Sequence, residues 1–175
     1  MKWVNTLLAV PLVVILFAGT VIADNEESVA TQRKGAPMQL QAAYPVIVTD
    51  KIAECSDFYV NWFGFQVVFE ASWFVYLTSR GNPSYGIAFM TPDHPSQPPG
   101  PQKFNGQGMF LTLQVADSAA EFSRLKRAGV SIAYALRDEP WGQRRFGLVD
   151  PAGVWVDVVQ QIEPAPGFWD KYMKR

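Results

Sequence analysis

Val46-Ile47-Val48-Thr49-Asp50-Lys51-Ile52-Ala53-Glu54-Cys55-Ser56-Asp57-Phe58-Tyr59 runs on to Gly64-Phe65. The same rhythm returns at Leu111-Thr112-Leu113-Gln114-Val115-Ala116-Asp117, then Ser118-Ala119-Ala120-Glu121-Phe122-Ser123-Arg124-Leu125, then Gly129-Val130. Each stretch is a β-rich run closed by Asp, an amphipathic segment, then Gly and an apolar residue. An apolar side chain, Phe58 or Leu125, follows each Asp by eight positions. An internal repeat of this kind sets the architecture before any single element does.

Each unit has a physical reading. Asp50 and Asp117 stand where strand gives way to helix and can accept bonds from orphan N–H groups. Ser118-x-x-Glu121 has the form of a capping box. Ile52, Cys55, Phe58, Tyr59 and Trp62 line one helical face, as do Ala119, Phe122 and Leu125 in the second unit. Gly64 and Gly129 suit the left-handed position that ends a helix. Strand-like runs follow at Phe65–Glu70, Trp73–Thr78 and Tyr85–Met90, and again at Val130–Leu136, Arg145–Val149 and Val154–Val159. Asp150-Pro151-Ala152-Gly153 reads as a turn. The expectation is an α+β fold of two βαβββ modules, at about 42–90 and 108–163. Residues 91–107 carry five prolines and form a linker.

The flanks read differently. Residues 1–23 place Lys2 before an apolar stretch from Leu7 to Ala18, ending in Val21-Ile22-Ala23. This predicts a secretory signal cleaved after Ala23, hence export to the periplasm or medium. The alternative is a membrane anchor, since Trp3 to Ala23 could just span a bilayer. Residues 24–41 are polar and aperiodic, a flexible leader. The tail 164–175, with Phe168, Trp169 and Tyr172, docks on the body, docks on a second subunit or stays loose.

Composition narrows the chemistry. Lys and Arg number 15 against 16 Asp and Glu, so no basic excess favours nucleic acid. One cysteine and one histidine exclude a disulfide framework, Cys-rich zinc sites and any array needing two histidines. There is no G-x-S-x-G elbow, no Walker A motif and no dinucleotide fingerprint. Cys55, on the apolar helix face, reads as core rather than nucleophile. His94 lies in the linker, outside the strands.

The paired units, with VTDKIAECSDFYVNWFGF (48–65) in one half and DEPWGQRRFGLVDPAGVWVDVVQ (138–160) in the other, resemble the vicinal oxygen chelate superfamily. It includes glyoxalase, extradiol dioxygenases and bleomycin resistance proteins. The resemblance implies one domain, 42–163, with a cleft between its modules, and dimerisation. Metal-using members carry ligands on the cleft face. Here the matching positions fall at about Ala43 and Phe110, and the last strand of the first half holds no carboxylate. Asp157 alone matches a ligand. The expectation is therefore no metal, no cofactor and no catalytic residue.

A cleft of that kind still binds flat or apolar molecules. Strand alternation puts Phe110, Thr112 and Gln114 on its wall, with Trp155, Asp157 and Val159 beside them. Trp73, Val75 and Leu77 share a face on a third strand, Trp141 enters near the mouth, and Arg145 points inward. The expected ligand-binding set is Trp73, Phe110, Gln114, Trp141, Arg145, Trp155 and Asp157. Without a metal, Asp157 needs an arginine or amide partner. The function expected is metal-independent binding of a partly apolar or aromatic small molecule. The alternatives are a glyoxalase- or dioxygenase-type enzyme with an atypical metal site, and an interaction module whose cup is filled by its own aromatics.

Overall fold

The computed structural model describes residues 40–173. The signal or anchor segment and nearly all of the leader lie outside the described residues. The first module comprises β1 (Val46–Val48), α1 (Ile52–Phe63), β2 (Phe65–Ala71), β3 (Phe74–Ser79) and β4 (Gly86–Met90). The second comprises β5 (Phe110–Gln114), α2 (Ser118–Arg127), β6 (Tyr134–Glu139), β7 (Gln143–Val149) and β8 (Trp155–Gln161). The sheets have the orders β1-β4-β3-β2 and β5-β8-β7-β6. In each, the first strand pairs parallel with the last, and the remaining pairs are antiparallel. The chain is thus α+β with two βαβββ modules.

Period-two alternation divides each sheet into two faces. On one, Ile47, Val75, Leu77, Ile87 and Phe89 meet Cys55 and Tyr59 of α1. Phe146, Leu148, Val154, Val156 and Val158 meet Leu125 of α2. All belong to one apolar cluster spanning both modules. Tyr59 also reaches across, its hydroxyl donating to Asp150 Oδ2 at 3.1 Å. Both residues are buried.

The helix starts differ from the sequence reading. Asp117 caps α2, accepting from Ala120 N at 2.9 Å. Asp50 makes no such bond: Lys51 is the cap residue of α1, and Asp50 pairs instead with Lys103 of the linker. Nor does Ser118 act as a cap. It is the first helical residue, fully buried, and its hydroxyl donates to Arg144 O at 3.1 Å. Gly64 takes φ 68° at the end of α1, where a side chain would be strained.

One strand is displaced from its expected place. The run Val130–Leu136 was expected, but β6 is Tyr134–Glu139. Apolar content favours the upstream residues, whereas the pairing with β7 starts at Tyr134 and continues through the polar Arg137-Asp138-Glu139. The linker has no strand or helix. It is tied down by Phe104 N donating to Val48 O at 2.9 Å and by His94, which stacks on Trp73 with centroids 3.9 Å apart and planes at 6°. The tail docks on the body: Ala165 N donates to Pro140 O at 2.9 Å.

Candidate functional site

The face of the second sheet turned away from the core carries a polar and aromatic cluster. It starts from two neighbours on β7. Arg144 and Arg145 point to opposite faces, as successive strand residues must. Arg144 forms a bidentate pair with Asp138, at 2.5 and 2.9 Å, in solvent. Arg145 turns onto the other face. Its Nε donates to Glu139 Oε1 at 3.0 Å and its Nη1 to Asp157 Oδ2 at 2.8 Å.

The cluster is closed by hydrogen bonds. Tyr134 OH donates to Glu139 Oε1 at 2.6 Å, and Trp155 Nε1 to Asp157 Oδ1 at 3.1 Å. The Trp141 and Tyr134 rings flank the guanidinium, with centroids 4.9 and 5.2 Å from Arg145 Cζ. Burial works against the Arg145 charge, but the bonds to Asp157 and Glu139 outweigh it and raise its pKa. The hydrogen bond from Tyr134, with the Arg145 charge behind it, holds the Glu139 carboxyl below the usual carboxylate range. A guanidinium has five N–H donors. Nε and Nη1 are engaged by the two carboxylates, which leaves the N–H groups of Nη2 outside these bonds.

Trp155 lies flat because of a glycine. Gly147 faces Asp157 across the β7–β8 ladder, and a Cβ there would collide with Trp155 Cζ2. The first sheet repeats the device: Tyr76 of β3 covers Gly86 of β4, whose Cβ would stand 2.8 Å from the ring. Tyr44 packs on Tyr76 at 4.5 Å.

The seven residues expected at the site separate into groups. Arg145, Trp155, Asp157 and Trp141 lie together. Phe110 is next to Trp155 in register and 62% exposed. Gln114 accepts from Gln161 Nε2 at 3.0 Å on the same sheet and also borders a groove between the modules. Trp73 lies elsewhere: it precedes β3, in the turn after β2, against His94. Val75 and Leu77 belong to the core rather than to a cleft wall. The expected register was right in spacing but assigned the wrong face, so Phe74 and Tyr76 occupy the outer side.

Tyr134 and Glu139 were missed. The pairing shifts between Tyr134 and Arg137, so two residues of β6 oppose one of β7. That bulge puts Tyr134 and Arg137 on one face, with Arg137 Cζ 4.3 Å from the Tyr134 ring. Simple alternation from Glu139 would have turned Tyr134 away.

A sequence model of the Glyoxalase/Bleomycin resistance protein/Dioxygenase superfamily matches residues 41–158. The chain belongs to this superfamily. An uncharacterised protein of Mycobacterium tuberculosis is 30% identical over 136 residues, covering 71% of this chain and 78% of that protein. A solved glyoxalase/bleomycin resistance protein/dioxygenase from Nocardioides superposes with a TM-score of 0.64 at 16% identity, over 81% of this chain and 97% of its own. Lactoylglutathione lyase from Agrobacterium tumefaciens superposes with a TM-score of 0.56 at 17% identity, over 70% of this chain and 96% of its own. At such identities the structural likeness concerns the fold.

Some members of the superfamily use a divalent ion, and the residues at the matching place do not suit one. Both oxygens of Asp157 accept from protein donors, and the cation facing it is a guanidinium. Among the described residues, no three His, Cys, Asp or Glu side chains converge as a ligand set. Cys55 is fully buried, and burial, with the Asp150 charge behind it, pushes its thiol up to about 12. A thiol so held is not a nucleophile.

Proposed function

We propose that this chain is a metal-independent small-molecule-binding protein of its superfamily. The ligand, partly apolar or aromatic, lies against the indoles of Trp141 and Trp155 and takes a hydrogen bond from Arg145. The observation that carries this reading is the Arg145 fork between Glu139 and Asp157. It sets a fixed positive group against Asp157, the one residue that the resemblance matches to a metal ligand. Large aromatics beside it supply contact area at low entropic cost. As part of the same proposal, the chain is exported through its first 23 residues and works as a homodimer.

A native mass spectrum of protein purified from its own host tests the reading. The expected spectrum shows cleavage after Ala23, a dimer, and a noncovalent organic mass that survives EDTA. Arg145→Gln should reduce the fraction carrying that mass. Stoichiometric, tightly bound Zn, Ni, Fe or Mn would overturn the proposal in favour of a glyoxalase- or dioxygenase-type enzyme.

A further inference from the structure

A groove of about 1000 Å³ runs between the modules, away from the Arg145 cluster. It arises where the internal repeat is broken. Seven residues into α1, Tyr59 locks onto the β7–β8 turn through Asp150. Counted from the first helical residues, which moves the α1 counterpart from Phe58 to Tyr59, the corresponding residue of α2 is Leu125, which borders the same groove as Ser84 and Tyr85 of the β3–β4 loop. Leucine offers no hydroxyl for such a lock. Leu125 and Tyr85 line the groove instead, and Tyr85 is 65% exposed.

The groove also follows an edge. Leu111 to Val115 all border it in succession, whereas a cavity over one sheet face would touch every second residue. β5 ends its sheet and pairs with β8 alone. Val115 N donates to Val159 O, so the N–H and C=O groups of Leu111 and Leu113 also turn toward β8. Those of Thr112 and Gln114 turn to the groove. The apolar lining that a bound molecule can touch is half-buried Trp62, Phe63, Leu111, Leu113 and Val115, while Leu125 and Val158 are fully buried. The two charges at the rim cancel: Arg124 Nη2 is 2.7 Å from Glu121 Oε2 and donates to Trp62 O at 2.7 Å.

We infer that this groove is a second binding site, for an uncharged amphiphile. Its apolar body lies against Phe63, Leu111 and Leu113, and a hydroxyl, ester or amide meets the backbone of Thr112 and Gln114. Charge decides the class. The ion pair at the rim is already compensated, so a charged head would be brought against an apolar lining without a partner.

The neutral fluorophore N-phenyl-1-naphthylamine serves as probe, displaced by 1-dodecanol, dodecanoate or dodecyltrimethylammonium. The alcohol is expected to displace it at a concentration about tenfold lower than either ion, a difference of about 1.4 kcal/mol. Backbone amide shifts caused by 1-dodecanol should fall on 84–87 and 111–115. Ser84→Trp, at an exposed loop position, should fill the groove and abolish displacement. Tyr85→Ala, also exposed, should weaken it without touching the core. Failure of the probe to bind, equal displacement by the ions, shifts on β6–β8 instead, or full binding by folded Ser84→Trp would each overturn the inference.

Discussion

Gly147 gives the sharpest single-residue test of the outer face. Alanine there must displace the Trp155 indole, which breaks its bond to Asp157. Overpacking of this kind costs about 1–3 kcal/mol. The expected result for Gly147→Ala is that loss in urea denaturation, with a shift in tryptophan emission. An unchanged spectrum would mean the indole does not lie over the glycine. Asp150 offers a second test, this time of pH. Burial raises its carboxyl above the ordinary range, more than the bonds from Val154 N and Tyr59 lower it. A raised carboxyl contributes stability that is complete below its unfolded value, about 3.9, and is lost as pH climbs through the native value. Asp150→Asn should therefore gain on the wild type as pH rises above about 4. Tyr59→Phe should cost about 1–3 kcal/mol, because it leaves a buried oxygen without its donor. Urea denaturation across that range checks both variants.

At the scale of elements, the tail is joined to the outer face. Trp169 Nε1 donates to Trp141 O at 3.1 Å, and Phe168 packs on the Trp141 ring at 6.4 Å. Ending the chain after Glu163 should cost about 1–3 kcal/mol in urea denaturation. It should also speed hydrogen exchange at the Trp141 indole, and unchanged exchange would show that the tail does not hold the ring. Much at this scale was legible. Both helices and the turn at Asp150 follow from period, turn chemistry and the repeat, whereas the parallel pairing of first and last strands is seen only in the structure. The shared face of Arg145 and Asp157 follows from period two once Phe146 and Leu148 on β7 and Val156 and Val158 on β8 are put in the core. The bulge in β6 does not, because no local signal in Tyr134–Glu139 marks which residue is extra, and with it went Tyr134 and Glu139. Trp73 was misplaced for a related reason. An aromatic residue at a strand border looks the same whether it begins the strand or closes the turn before it.

For the molecule as a whole, the two modules share one apolar cluster. Tyr59 and Arg124 each bond across the repeat, to Asp150 and to the Trp62 carbonyl. Neither half can bury its apolar face alone. Calorimetry should show one transition with equal calorimetric and van't Hoff enthalpies. A fragment ending at Met90 should lack a cooperative transition, and two resolved transitions in the full chain would contradict a shared core. The linker adds something more practical. The chain's one histidine lies flat on the Trp73 indole, inside the shielding zone of that ring. Its two ring C–H protons, Hδ2 and Hε1, therefore give one pair of NMR lines displaced upfield, whose position reports whether the proline-rich crossing is seated.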